Sequence, residues 1–194
     1  MRTISICAAA LWLLAAAGVD RALAAESAKP AKDASTAKAK AAVGEEKEAQ
    51  EALVAFTKAD PGLKKFVESS VGYVVFPDVT KGAFGIGAAH GTGCVYEKGK
   101  LVGTAALTQV TIGLALGGQS YAELIFFETQ EALDSFKKSE LAFSAQVSAV
   151  AAAEGASSNA KYQLGVAVFT LAKGGLMYEA SLGGQKFRFK PLAK

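Results

Sequence analysis

Residues 72–93 read Gly72-Tyr73-Val74-Val75-Phe76-Pro77-Asp78-Val79-Thr80-Lys81-Gly82-Ala83-Phe84-Gly85-Ile86-Gly87-Ala88-Ala89-His90-Gly91-Thr92-Gly93. An apolar run ends at a proline turn and gives way to small residues, with glycine at 82, 85, 87, 91 and 93. Glycine weakens a strand unless a bend, a bulge or close backbone approach needs it. The cluster therefore predicts strands of specific geometry rather than a generic loop.

Downstream, the pattern stays strand-like. Glu97-Lys98-Gly99-Lys100 is a turn signal that joins residues 83–97 to Leu101–Leu107 as a hairpin. Residues 108–117 continue as a small, apolar strand with Gly113, Gly117 and Gly118 as bends, and Tyr121–Phe127 is a strand rich in aromatic and branched residues. Thr129 caps a helix to about Ser139, with Glu131 in the first turn and Lys137 and Lys138 in the last. Alternation from Phe143 to Ala151 predicts a half-buried strand, and residues 153–161 a loop. The unbroken apolar run Leu164–Leu171 predicts a strand buried on both faces. Lys173-Gly174-Gly175 and Gly183-Gly184 read as turns around two further strands, 176–182 and 185–190. About eight short strands with one inserted helix predict an α+β fold: a mainly antiparallel β sandwich or barrel-like sheet with N-terminal helices. The small-residue bias of 102–118 also permits a hollow barrel that holds an acyl chain.

Upstream, Ala49, Ala52, Leu53 and Phe56 form a stripe at helical spacing, which predicts a helix over 45–58 behind an acidic first turn. Pro61 opens a second short helix, with Asp60 as its cap and Leu63, Phe66 and Val67 on one face. Residues 25–44 are mostly Ala, Lys and Ser and read as a disordered linker. Residues 1–24 combine Arg2, an apolar stretch and Ala22-Leu23-Ala24, the pattern of a cleaved secretory signal peptide. The expected location is periplasmic or secreted, with peripheral membrane association. The domain proper is then 45–194.

Cleavage after Ala24 would remove Cys7 and Trp12, the chain's one tryptophan. Cys94 alone cannot form an internal disulfide. The formal charge is +3 for the whole chain, and +2 without Arg2, Asp20 and Arg21 (19 cations against 17 anions). Such a balance argues against nucleic-acid binding, which calls for a basic domain.

From about Glu46 to Lys190 the chain resembles the SYLF domain family. The matching points are Asp60-Pro61, Gly72-Tyr73, Phe76-Pro77, Lys81-Gly82, Phe84-Gly85, Gly87, Gly91, Gly93, Thr108-Gln109, Gly113, Gly118-Gln119, Phe126-Phe127, Gly175-Leu176-Met177 and Ser181-Leu182. The family occurs in bacterial exported proteins and in eukaryotic proteins tied to phosphoinositides and actin patches. The resemblance implies lipid or membrane binding without catalysis.

Several residues are candidates for a site. In the last strand Lys186, Arg188 and Lys190 alternate with Phe187 and Phe189, which puts three cations on one face. Such a row suits anionic headgroups, or a charge-protected strand edge. Lys98 and Lys100 flank one turn and Lys173 sits at another, and these join a headgroup-facing rim if the turns cluster. Lys81 is the cation inside the strongest family motif. Gly82, Gly85 and Gly87 lack the Gly-Lys-Ser/Thr ending of a phosphate loop. His90 and Cys94 share a strand face, but no third ligand or orienting group accompanies them, so neither metal binding nor a nucleophile–base pair is expected. Gln109, Gln119 and Glu123 are polar positions in apolar strands and call for a buried hydrogen-bond network or a cavity.

Two functional classes lead. One is a non-catalytic module of the bacterial cell envelope that binds anionic phospholipid, with no cofactor. The alternative is a structural or protein-interaction module with an envelope protein as partner.

Overall fold

Glu97 pairs with Lys100 across the two-residue turn Lys98-Gly99, and from that turn two long strands run back together. Both turn residues have positive φ, 51° and 74°, as a tight hairpin matched to strand twist requires. In the computed structural model, which describes residues 31–139, 142–143 and 150–192, β1 (Gly72–Glu97) and β2 (Lys100–Phe127) pair antiparallel from this turn to Gly72↔Phe127. Strand β5 (Val166–Pro191) pairs antiparallel along the other side of β2, from Phe127↔Val166 to Gly103↔Pro191. Two short strands complete the sheet on β5: β3 (Ala142–Phe143), antiparallel, and β4 (Val150–Ala151), parallel. The fold is α+β with a mainly antiparallel sheet.

Three long strands replace the short ones expected. A straight strand the length of β1 would reach about 85 Å, yet its ends lie together: the Lys98 N–H donates to the Val71 carbonyl at 3.1 Å, and the Tyr73 and Tyr96 rings stack with centroids 5.0 Å apart. The sheet is folded back on itself. Its bend falls at Gly85 (φ 74°), where the β1–β2 register shifts between Phe84 and Ile86, and at Gly117 in β2 (φ 120°). Pro77-Asp78 makes a bulge between Phe76 and Val79 rather than an end. Gly174-Gly175 and Gly183-Gly184 likewise stay within the β2–β5 ladder. Glycines that punctuate a sequence as turns here let the backbone bend or approach without ending its pairing.

The fold encloses one core between its two halves. Val74, Phe76 and Val79 of β1 meet Ala105 and Leu107, Ile125 and Phe127 of β2, and Phe187 of β5. Helix α3 (Gln130–Lys137) closes that end with Ala132, Leu133 and Phe136. Phe136 lies 5.1 Å from Phe127 and 5.2 Å from Phe187, centroid to centroid. The interior at this end is packed with apolar side chains, and the sheet does not close into the barrel that the small residues of 102–118 would have permitted. Thr129 caps α3 as expected, its side chain accepting from the Ala132 N–H.

Helices α1 (Ala31–Ala59) and α2 (Leu63–Ser69) supply a second core on the outer face. Ala49, Phe56 and Leu63 cover Tyr73, Val75, Leu124, Phe126 and Phe169. Helix α1 begins upstream of the acidic turn at Glu45 that marked its expected start. Asp60 does not cap α2. Gly62 holds that position, and the Asp60 carboxylate accepts from the Gly62 N–H and from Ser157, just inside the short helix α4 (Ala156–Asn159). Within the run Leu164–Leu171, Val166, Ala167, Val168 and Phe169 are buried as expected, two against each core, whereas Leu164 lies ahead of β5 and is exposed.

A compact body spans Ala39–Lys194; up to Lys38 is a separate unit in which 31–38 are helical. The expected signal peptide, the first residues of the linker and most of the 143–151 alternation lie outside the described residues. Among the described residues, no helix is long and apolar enough to cross a membrane.

Candidate functional site

The cationic alternation of the last strand survives folding. Phe187 is buried in the inner core, while Lys186, Arg188 and Lys190 are exposed on the outer face of β5. Their neighbours on β2 are Thr108, Ala106 and Thr104. With a rise of about 3.3 Å per residue, the cations stand roughly 7 Å apart in a line.

The other sequence candidates are not gathered into one rim. Lys98 and Lys100 are exposed at the β1–β2 turn, beyond the Lys190 end of the row. Lys173 is engaged: its Nζ donates to Asp78 Oδ2 at 2.7 Å and to the Pro77 carbonyl at 3.2 Å. Lys81 is buried, paired in register with Gln119.

A second surface has no counterpart among the sequence candidates. Phe84, Ile86, Val110, Ile112 and Leu116 are exposed, Phe84 by 87% and Ile112 by 70%. Register brings them together at the bend: Phe84 faces Leu116, Ile86 faces Ile112, and Ala88 faces Val110. The signal was available as an inversion. At the bend, the positions alternating with these large side chains are Ala83, Gly87, Gln109 and Thr111, so the small and polar residues point inward and the large apolar ones outward. The outer-face positions 106, 108, 110 and 112 of β2 lead from the apolar cluster to the cationic row, because Thr108 neighbours Lys186. None of the outer-face positions 82–90, 106–112 and 184–190 carries an acid among the described residues.

Toward the bend the interior turns polar, as Gln109 and Glu123 suggested. The Tyr121 hydroxyl donates to Gln109 Oε1 at 3.4 Å. Gln185 Nε2 donates to Glu123 Oε2 at 2.9 Å, while Glu123 Oε1 has no protein partner. Burial pushes the Glu123 carboxyl up to about 7, against the smaller opposing effect of the Gln185 hydrogen bond. A second acid–base group in contact with it is not found among the described residues. Cys94 is buried and its thiol is pushed up to about 11, first by desolvation, while His90 is exposed. That thiol is a core side chain rather than a nucleophile. Among the described residues no cluster of His, Cys, Asp and Glu could hold a metal ion. An open cleft of about 230 Å³ beside the start of β5 is lined by Asn159, Lys161, Gln163 and the buried strand; it offers one cation and no paired titratable groups.

A bent antiparallel sheet with helices on one outer face, an apolar bend and a cationic strand describes a binding module. Residues 108–191 match the family described as Las17-binding protein actin regulator (Ysc84), the SYLF family that the chain resembles. The chain is also similar to beta cell expansion factor A of Aeromonas veronii, 29% identical over 141 residues that make up 72% of this chain and 53% of the relative. The chain thus spans about half the length of that curated relative.

Proposed function

We propose that this protein is a non-catalytic module that binds anionic phospholipid surfaces from the periplasmic or extracellular side of a bacterial envelope. The observation that carries this reading is the row Lys186, Arg188 and Lys190, exposed on one strand face with no acidic residue beside it among the described residues. Near a charged surface each such cation contributes about 1 kcal/mol, so the row contributes about 3 kcal/mol, or about a hundredfold in affinity. The family match over residues 108–191, and the lack of an evident acid–base pair among the described residues, support a binding role rather than a chemical one. The pattern of residues 1–24 supports export.

Co-sedimentation with neutral and anionic vesicles at low and high salt tests it. The expected result is binding to anionic vesicles alone, lost with salt and lost on triple charge reversal at 186, 188 and 190. Binding that ignores both lipid charge and salt sinks the headgroup mechanism. If no vesicle is bound but an envelope protein is recovered, the surface is a protein-interaction site instead.

A further inference from the structure

We infer that the apolar bend of the sheet is a membrane-penetrating element: Phe84, Ile86, Val110, Ile112 and Leu116 enter the acyl region while the adjoining cations hold the headgroups. The inference deepens the proposed function and rests on it.

Monomeric proteins rarely expose contiguous apolar patches without a use for them. Five large apolar side chains from two paired strands meet here, on the convex side of the fold. Among the described residues, the contacts of α1 from Ala49 onward and of α2 lie with Tyr73, Val75, Leu124 and Phe126, away from the bend. The patch is also not misplaced core. The inner face at the same strand positions carries Thr111 and Gln109, and Gly87 leaves room for the buried Thr111 hydroxyl. Large apolar groups outside and polar groups inside is the pattern of strands that face lipid. Paired strands keep their backbone groups hydrogen-bonded on entering a medium without water, which a loop cannot do.

Charge decides the occupant. A second copy docked face to face would carry its own Lys186, Arg188 and Lys190 to the same interface, because a twofold contact presents one patch to itself. An anionic bilayer offers the opposite sign at the headgroups and an apolar layer just beneath. The order along β2, from Ile112 and Val110 to Thr108 beside Lys186, matches that layering.

Trp12 is the one tryptophan of the chain, so a Trp12→Phe, Phe84→Trp double variant carries a single reporter at the bend. Its fluorescence is read with vesicles of phosphatidylcholine and phosphatidylglycerol whose acyl chains are brominated. A blue shift with quenching by the bromines is expected. Ile112→Asp should then lower vesicle affinity about tenfold or more, since an apolar side chain leaves the acyl region, with an unchanged melting temperature because Ile112 is exposed. Co-sedimentation without blue shift or quenching overturns penetration while the headgroup reading stands. Loss of all vesicle binding overturns both. A dimer that Ile112→Asp dissolves, together with an unquenched tryptophan, overturns penetration in favour of self-association.

Discussion

Asp60 and Ser157 stand far apart in the chain and are joined twice: the Ser157 N–H donates to Asp60 Oδ2 at 2.6 Å and its hydroxyl to Oδ1 at 2.9 Å. A third donor, the Gly62 N–H, lies 3.0 Å from Oδ1. The carboxylate therefore ties the turn between α1 and α2 to the segment that precedes β5.

Burial works to raise the Asp60 carboxyl, but the Ser157 and Gly62 hydrogen bonds outweigh it and hold it below its usual value. A depressed carboxyl adds stability above its unfolded pKa and loses it as pH falls through the folded value. Asp60→Ala should cost about 2 kcal/mol at neutral pH, because it leaves a buried N–H without its charged partner. The deficit should shrink in strong acid. Urea unfolding of both proteins across pH measures it.

Glu123 predicts the opposite slope. Its folded pKa of about 7 lies above the usual 4.5, so its contribution is fully present below the lower value and is lost as pH rises through the higher. Glu123→Gln should melt at a higher temperature than the parent above pH 7 and converge with it near pH 4. A constant difference across that range would mean that the carboxyl does not titrate within the folded state.

Gly93 and Gly82 separate two uses of glycine. A Cβ at Gly93 would run into the Val75 carbonyl and the Phe76 ring, where the folded-back halves of β1 touch. One at Gly82 would meet nothing. Gly93→Ala should cost about 1–3 kcal/mol through overpacking, and Gly82→Ala should stay within about 0.5 kcal/mol of the parent. Thermal melts of the pair distinguish close approach from mere permissiveness.

Lys173 should behave unlike Lys186, Arg188 and Lys190, the other cations of β5. Its partner Asp78 is half exposed, and the pair is worth less than about 1 kcal/mol. Lys173→Met should leave both stability and anionic vesicle binding nearly unchanged, whereas charge reversal at 186, 188 and 190 should abolish binding without moving the melt. Equal losses from the two sets would make the binding a matter of net charge alone.

Local patterns carried much of this fold. The Lys98-Gly99 turn, the Thr129 cap, the doubly buried run at Val166–Phe169 and the outward face of Lys186, Arg188 and Lys190 each depend on neighbours a few residues away. What stayed hidden depends on contacts between distant residues. Whether Gly117-Gly118 ends a strand or bends it is decided by whether β1 and β5 keep pairing on either side. Alternation at Phe84-Gly85-Ile86 and Val110-Thr111-Ile112 shows which side chains share a face, but not whether a helix covers it. Lys81 illustrates the same limit: its place in the strongest motif marked it, and only the fold reveals that it is buried.

The reach of α1 and α2 over just one part of the outer face has an evolutionary consequence. The packed residues that set the melting point lie where the ends of β1 meet, and the exposed apolar residues lie mid-strand at the bend. Selection can therefore alter Phe84, Ile86, Val110 or Ile112, and with them the surface presented, while the aromatic cluster under α3 keeps the scaffold intact. One sheet of this kind can diversify in what it touches without renegotiating how it folds.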